Sequence, residues 1–332
     1  MIKEITYIES TQTNPYLNLA IEEYLLQSCR EDECILYLWQ NKQTVVIGYN
    51  QNAWKECLVS KLEGDGGHLA RRLSGGGAVY HDDGNLNFTF LVRKENYSVD
   101  KQLQVIIQAA KMLGIHAEKS GRNDILADGK KFSGNAFYET KGHCYHHGTI
   151  MINVNLQELS KYLTVSKEKL QSKGVNSVKS RVANLSELQE NVTIEGTKEK
   201  LQRAFEQVYG MPAAHRKVSD LNKDYIDEKK KEFESWDFIY GKKFEFQNEL
   251  SHRFTWGEIS IQFRVKEGQV QDVKIFSDSM HPGFIMDISS YFSGCRYRNK
   301  ELCAKLGMYM SDKKQEEMMM KDIITWLEGE EL

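Results

Sequence analysis

Three consecutive glycines, Gly75 to Gly77, follow two arginines, Arg71 and Arg72, and precede a short apolar stretch that ends in His81 and Asp82. Glycine permits unusual backbone angles and lets another group approach the main chain closely. Successive N–H groups can form a cradle for anions, and the forked donors of arginine match phosphate or carboxylate oxygens. The segment therefore predicts a phosphate or acyl-phosphate site, against the alternative of a flexible hairpin tip with solvated arginines.

A second cluster places a lysine among small residues. Gly121 to Asp124 reads Gly-Arg-Asn-Asp, and Lys131 to Ala136 reads Lys-Phe-Ser-Gly-Asn-Ala. Alternate side chains of a strand share a face, which predicts that Lys131 points the same way as Ser133 and opposite to Gly134. An ammonium group in such a site neutralises carboxylate and phosphate charge together, whereas the simpler interpretation is a solvated surface lysine.

The third cluster, His143 to Thr149, holds three histidines and Cys144. No second ligand pair stands at a zinc-site spacing, which argues against a metal site. We expect a histidine or the Thr149 hydroxyl to contact a ligand, or the cluster to pack in the core. Cys144 has only the adjacent histidines around it, which argues against a nucleophile.

Composition excludes several classes of protein. The chain has 332 residues, 40% of them hydrophobic and 27% charged, which is typical of globular proteins. A net charge of −3 argues against a general nucleic-acid binder, and no stretch approaches the roughly 18 apolar residues of a membrane helix. The N-terminus does not resemble a signal peptide, and six scattered cysteines indicate reduced thiols. Neither a P-loop nor a complete G-x-G-x-x-G motif is present. We therefore expect a cytoplasmic protein without nucleic-acid or membrane partners.

The elements that position these clusters are strands with short links, mixed with helices, which predicts an α+β fold. Strands are predicted at 5–8, 34–39, 44–47, 69–73, 78–80 and 85–92, near residue 125, and at 131–137 and 145–154. Helices are predicted from Pro15, at 53–62, 101–113, 156–163, 198–209 and 220–233, with a long loop over 173–197. A hairpin over 253–276 around Glu267-Gly268, followed by helices, predicts a separate unit. The boundaries are therefore set at 1–246 and 252–332.

At these motifs the sequence resembles the lipoate–protein ligase A family. Each motif alone is weak evidence, but their combination is specific and extends over most of the chain. The resemblance implies a mixed-sheet catalytic domain of the biotin/lipoate ligase type and a small C-terminal α+β accessory domain. The matching stretches are Trp39 to Asn52, Arg71 to Asp82, Gly121 to Asp124, Lys131 to Ala136, His146 to Thr149, Lys173 to Leu185 and Arg253 to Gly257.

The resemblance implies an ATP-dependent ligase that works in two steps. Lipoate attacks the α-phosphate of ATP to give lipoyl-AMP and pyrophosphate, and a carrier lysine then takes the lipoyl group. The implied carriers are the acyltransferase (E2) subunits of 2-oxoacid dehydrogenase complexes and the glycine-cleavage H protein. Mg²⁺ would arrive with ATP, without a dedicated protein cage. The enzyme is expected to act as a monomer, and loop 173–185 to close over the activated intermediate.

The family motifs also assign residues to roles. Lys131 is the implied catalytic residue, bridging the acyl carboxyl oxygen and the α-phosphate. Asp124 is the implied metal contact, if the protein provides one. ATP and adenylate contacts are implied for Arg72, Gly75, Gly76, Gly77, Ala78, Val79, Tyr80, Asn123, Asp124, Lys131 and Arg181. Lipoate contacts are implied for Lys131, Ser74, His81, Ala136, His147, Gly148 and Thr149.

Other interpretations stay open. An octanoyl- or lipoyltransferase of the same superfamily would take the acyl group from a carrier through a cysteine, for which Cys144 is the candidate. A non-catalytic acyl-binding protein is a second alternative, against which Lys131 and the three glycines argue. A biotin ligase is a third, since the fold is shared. Tyr80 stands where the family usually has phenylalanine, and its hydroxyl is expected to add a polar group to the pocket wall.

Overall fold

The computed structural model describes residues 1–121, 123–164 and 182–332. The chain divides into two compact units, and the glycine segment belongs to the smaller one together with the C-terminal part of the chain. The sequence boundary at residues 246–252 remains a proposal. The larger unit contains Met1–Val46, Trp54–Arg71 and Ala78–Ile239, and the smaller unit contains Ile47–Ala53, Arg72–Gly77 and Tyr240–Leu332.

A mixed eight-stranded sheet lies at the centre of the larger unit. Its strands are β1 (Glu4–Glu9), β2 (Glu33–Trp39), β6 (Asn85–Arg93), β7 (Ala117–Ser120), β8 (Asp124–Ala127), β9 (Lys130–Thr140), β10 (His143–Met151) and β11 (Ala213–His215). They are ordered β11-β1-β2-β6-β10-β9-β8-β7. β1 runs parallel to β2 and β11, and the other neighbours are antiparallel.

Helices cover this sheet because its central strands are apolar on both faces. Every residue of β2 is buried, as expected for a strand covered on both sides. In the described residues the helices of the larger unit are α1 (Pro15–Ser28), α2 (Ala53–Glu56), α3 (Val59–Gly64), α4 (Val99–Met112), α5 (Leu156–Tyr162), α6 (Leu185–Leu188), α7 (Ile194–Tyr209), α8 (Lys223–Glu234) and α9 (Trp236–Ile239). As predicted, α1 begins at Pro15, and Asn14 caps it by accepting the Leu17 N–H at 2.9 Å. The predicted α+β class is confirmed.

Three sequence predictions about the larger unit were wrong. The single helix predicted over 53–62 is two short helices, α2 and α3. The described part of the loop predicted over 173–197 contains α6 and the start of α7. The first turn of α7 is polar, so its apolar spacing becomes visible only from Leu201 onward. The short strands β7 and β11 were missed, because three or four residues show no clear alternation.

A second, three-stranded sheet carries the residues that follow the glycines. β3 (Thr44–Ile47) lies between β4 (His68–Arg71) and β5 (Val79–His81). β3 and β5 are antiparallel, with Val45 opposite Tyr80 and Thr44 opposite His81. This pairing fixes the direction of the side chains of β5.

The smaller unit contains the antiparallel sheet β12 (Asn248–Phe254), β13 (Gly257–Lys266) and β14 (Gln269–Ser277). The helices α10 (Pro282–Ser289), α11 (Asn299–Leu306) and α12 (Lys314–Glu328) follow it. The predicted turn at Glu267 and Gly268 joins β13 to β14, and both residues have positive φ. β12 was missed, since most of its side chains are exposed or half-buried. In the described chain no helix is long and apolar enough to cross a membrane.

Candidate active site

Arg72 holds the glycine segment in a defined loop. Its side chain is buried and donates from Nε to Ser74 Oγ at 3.0 Å. Its Nη2 donates to the carbonyl oxygens of Gly75 and Gly77 at 2.7 and 2.8 Å. Charge-assisted bonds of this kind are among the stronger hydrogen bonds in proteins. In this structure Arg72 and Ser74 therefore act on the shape of the loop.

Close main-chain packing explains the first two glycines. A Cβ atom on Gly75 would lie 2.2 Å from the carbonyl oxygen of Ser279. The Gly76 N–H donates to that same oxygen at 3.0 Å, and a Cβ atom on Gly48 would lie 2.2 Å from the Gly76 oxygen. Gly77 is exposed and has open space at its Cβ position. In this structure the Gly76 N–H is bonded to Ser279, whereas Gly77 has open space beside it.

Arg71 serves a different purpose from the phosphate contact that the arginine pair predicts. Its Nε donates to the carbonyl oxygens of Phe238 and Ile239 at 2.9 and 3.0 Å. These carbonyls belong to α9, and carbonyls at a helix C-terminus lack partners within the helix. Arg71 thus ties α9 to β4 inside the larger unit.

His81 and Tyr80 point to opposite faces of β5. The Nδ1 of His81 accepts from Asn41 Nδ2 at 3.2 Å, because the Oδ1 of Asn41 already accepts from Asn18. This places the proton of a neutral His81 on Nε2. Tyr80 packs on Tyr162 with ring centroids 5.7 Å apart. The expected polar wall made by Tyr80 therefore does not share a surface with His81.

A β-bulge places the side chain of Lys131. Ile125 pairs with Ser133, but the next residue of β8 pairs with Lys131, so β9 carries one extra residue at Phe132. The lysine consequently lies over Gly134, where a Cβ atom would be 2.9 Å from Lys131 Nζ. The predicted face shared with Ser133 was wrong, because strict alternation fails at the bulge.

An ion pair sets the position of the Lys131 ammonium. Its Nζ lies 2.6 Å from Asp124 Oδ1, and the two side chains are 34% and 37% exposed. Thr149 lies near the same point, since its Oγ1 accepts the Gly134 N–H at 3.4 Å. Asp124, Lys131 and Thr149, which belong to three separate motifs, therefore lie close together in this structure. Arg181 lies outside the described residues, but the next residue, Val182, forms a parallel bridge with Lys131.

His147 belongs to a buried network that sequence reasoning did not find. Its Nδ1 lies 2.9 Å from Glu22 Oε1, and that oxygen also accepts from Thr89 Oγ1 at 2.7 Å. Trp39 Nε1 donates to Thr89 Oγ1 at 3.1 Å. The available signal was Asn18 and Glu22, two polar residues four positions apart that share a face of α1 with Leu25. The network fixes the His147 ring and assigns its Nδ1 as a donor.

We predict that Glu22→Leu destabilises the protein more than Glu23→Leu. Without Glu22, the buried donors of His147 and Thr89 lose their acceptor, at a cost of about 1–3 kcal/mol for each unsatisfied group. Glu23 pairs with Lys229 at 3.3 Å, and Lys229 has Glu232 as a second partner at 2.8 Å, so loss of Glu23 leaves Lys229 paired. Urea unfolding measures the free energy of unfolding of both variants. An equal loss of this free energy in Glu22→Leu and Glu23→Leu would contradict the assigned network.

Gly148 and Ala136 lie on opposite faces of the sheet, with Ala136 on the face of His147. A Cβ atom on Gly148 would lie 2.6 Å from Phe88 Cζ and 2.7 Å from the Gly134 carbonyl oxygen. Gly148 is therefore required by packing between strands. Ala136 is buried and lies directly opposite His147 in the register of β9 and β10.

His143 and Cys144 of the third cluster are buried. His143 Nε2 lies 2.8 Å from Arg93 Nη1, and Cys144 is 1% exposed. Throughout residues 1–121, 123–164 and 182–332, no group of three or more His, Cys, Asp or Glu side chains is arranged to hold a metal ion. A nucleophilic Cys144 would first have to be uncovered.

Two family models match the chain. The Lipoyl protein ligase A/B catalytic domain matches residues 14–206. The Bacterial lipoate protein ligase C-terminus matches residues 243–327. Together they cover the motifs of the larger unit and most of the C-terminal segment.

Named relatives and solved structures agree with these models. The chain is 38% identical over 325 residues to the Lipoate-protein ligase A of Bdellovibrio bacteriovorus, covering 96% of each chain. The crystal structure of P. falciparum LipL1 in complex with lipoate superimposes with a TM-score of 0.86 at 31% identity, over 98% of this chain and 100% of that one. A lipoate-protein ligase A bound with ATP gives 0.62 at 25% identity, over 73% of this chain and 99% of that one. The resemblance seen in the motifs is thereby confirmed, and the chain belongs to the lipoate–protein ligase A family of enzymes.

Proposed function

We propose that this chain activates lipoate with ATP and transfers the lipoyl group to a lysine of lipoyl carrier domains. One observation carries the proposal: the Lys131 ammonium lies over Gly134, held by Asp124 at 2.6 Å. A fixed cation close to small residues provides the charge and the space that an acyl-phosphate reaction requires. Family membership supplies the identity of the substrates.

In the first step a lipoate carboxylate oxygen attacks the α-phosphorus of ATP. A phosphorus–oxygen bond forms, the bond to the leaving pyrophosphate breaks, and lipoyl-AMP results. Both reactants are anions, and negative charge spreads over the phosphoryl oxygens in the transition state. Lys131 neutralises that charge, and Asp124 orients its Nζ before the substrates arrive.

In the second step the ε-amine of the carrier lysine attacks the lipoyl carbonyl carbon. An amide forms, AMP leaves, and the amine proton passes to solvent or to a neighbouring base. The proposed acceptors are E2 subunits of 2-oxoacid dehydrogenase complexes and the glycine-cleavage H protein. Lys131 stays in place and stabilises the charge that returns to the departing AMP.

The proposed lipoate contacts are supported by burial and orientation. His147 and Ala136 are buried neighbours on adjacent strands, and Glu22 holds the His147 ring at 2.9 Å. His81 directs its Nε2 proton away from Asn41. Together with Thr149 these groups offer hydrogen-bond donors beside the small side chain of Ala136, which suits the carboxylate end of a short acyl chain.

The proposed nucleotide contacts centre on Gly77, which is exposed, and on Ala78 and Val79, which are half-buried. Arg72 and Gly75 act by shaping the loop, and Asn123 directly precedes β8. The roles of Gly76, Tyr80 and Arg181 remain proposals from the family motif. Asp124 fits Mg²⁺ as a hard oxygen donor, and Mg²⁺ would supply charge neutralisation on the ATP phosphates.

We further propose a cytoplasmic monomer with domains at 1–246 and 252–332. The cytoplasmic assignment is supported by six free, buried cysteines, as expected for a reducing compartment. Burial raises the pKa of the Cys34 thiol to about 12, which keeps it protonated and unreactive.

A substrate comparison tests this function. The purified chain is incubated with ATP, Mg²⁺ and an apo H protein, and with lipoate, octanoate or biotin in parallel. We expect ATP-dependent lipoylation, no biotinylation, and unchanged transfer by Cys144→Ala. Transfer from an octanoyl carrier without ATP, lost in Cys144→Ala, would instead establish the octanoyltransferase. Absence of any transfer would support the non-catalytic binding protein.

A further inference from the structure

Asn123, next to Asp124, is held by an exchange of hydrogen bonds with Asn135. The Asn123 carbonyl oxygen accepts from the Asn135 N–H at 2.8 Å and from Asn135 Nδ2 at 3.0 Å. In return, Asn123 Nδ2 donates to the Asn135 carbonyl oxygen at 2.9 Å. Three bonds therefore fix the residue that precedes Asp124.

The amide of Asn135 is in turn oriented by His146. Its Oδ1 lies 2.7 Å from His146 Nε2. Because Asn135 Nδ2 is the donor to Asn123, Oδ1 must be the acceptor, and His146 carries its proton on Nε2. Burial, together with the neighbouring His147, lowers the pKa of His146 to about 3, so the ring is neutral.

A histidine at position 146 destabilises the folded protein. Its ring is 0% exposed and packs against Phe88, Phe90 and Phe137, with centroids 5.4, 5.9 and 5.0 Å away. Its Nδ1 has no hydrogen-bond partner in the described part of the chain, and a buried polar atom without a partner is destabilising. A fourth phenylalanine would suit the packing better, and what the imidazole adds here is its Nε2 donor to Asn135.

We propose that His146 is a positioning residue for the adenylation step, acting through Asn135 and Asn123 on Asp124 and Lys131. The inference rests on the function proposed above. Asp124 lies opposite Gly134 in the register of β8 and β9, and Asn135 follows directly. Hydrogen bonds of the Asn135 amide therefore connect β9 to the start of β8, beside the ion pair of Lys131 and Asp124. Residues that orient metal ligands typically contribute about 10- to 100-fold to activity, and we expect an effect of similar size here.

Substitution of His146 by phenylalanine tests the proposal, since it keeps the ring and removes the donor. We expect His146→Phe to fold with unchanged or higher Tm. Its kcat for lipoate-dependent exchange of pyrophosphate with ATP should fall about 10- to 100-fold, while the KM for lipoate stays unchanged. His146→Gln, which restores an amide donor, should regain most of the lost kcat. The matched control Phe90→Leu should lower Tm and leave kcat unchanged.

A double-mutant cycle of His146→Phe with Asn135→Ala tests whether His146 acts through Asn135. If His146 acts through Asn135, His146→Phe costs nothing further in the Asn135→Ala background. Independent losses, or full kcat in folded His146→Phe, would overturn the proposal. The ¹H–¹⁵N signal of the Asn135 side-chain amide reports the hydrogen bond without turnover and should shift in His146→Phe. A wild-type chain without lipoate-dependent exchange would refute the proposed function, whereas an unmoved amide signal would refute only the role of His146.

Discussion

Replacement of Lys131 by alanine is expected to abolish lipoate-dependent pyrophosphate release while the protein stays folded. The Lys131 side chain is 34% exposed and its one described ion pair is with Asp124, so its removal leaves the core intact. Loss of one preorganised group that stabilises transition-state charge costs about 10²- to 10³-fold in kcat. Pyrophosphate release from ATP and lipoate measures the effect.

Lys130→Ala is the matched control, because the neighbouring Lys130 is exposed. We expect it to retain wild-type activity and the same Tm as Lys131→Ala. Substantial lipoyl-AMP formation by Lys131→Ala would contradict the proposed mechanism. An equal loss of activity in Lys130→Ala and Lys131→Ala would mean that positive charge anywhere in this region is enough. The position described for the Lys131 ammonium would then not be required.

The second large effect is expected from Gly75→Ala. The new Cβ atom would lie 2.2 Å from the Ser279 carbonyl oxygen, so the loop or its neighbour must move. Overpacking of this kind costs about 1–3 kcal/mol, and a displacement of about 1 Å in a positioning element can cost about 10²-fold in activity. The Tm measured by thermal unfolding and the kcat of the full chain should both fall.

Gly77→Ala separates packing from ligand contact. Its Cβ atom has open space and its φ is not positive, so Tm should match that of the wild type. A raised KM for ATP with unchanged Tm would support a nucleotide contact at Gly77. If Gly75→Ala kept both Tm and kcat, the packing assigned to the first glycine would be wrong.

The sequence was sufficient for the family motifs and for the positions of most strands along the chain. Gly75 was recognised as a special position, but its contact with Ser279 joins residues 204 positions apart in the chain. No local pattern encodes that contact. The arginine pair was interpreted as one unit, yet Arg71 binds α9 and Arg72 binds the glycine loop.

The assumption that side chains alternate strictly along β9 was the main source of error inside the site. One extra residue at Phe132 moves Lys131 from the Ser133 face to the Gly134 face. A bulge of this kind depends on pairing with β8, which the sequence of β9 does not reveal. Glu22 was missed for a related reason, because its partner His147 lies on a strand 125 positions away.

Pyrophosphate release in the absence of carrier tests the central claim most directly. The wild-type chain is mixed with ATP, Mg²⁺ and lipoate, and the products are followed by mass spectrometry within a single turnover. We predict one pyrophosphate and one lipoyl-AMP for each active site before any carrier is added. Pyrophosphate that appears only with the carrier, or lipoyl transfer without ATP, would contradict the adenylate mechanism.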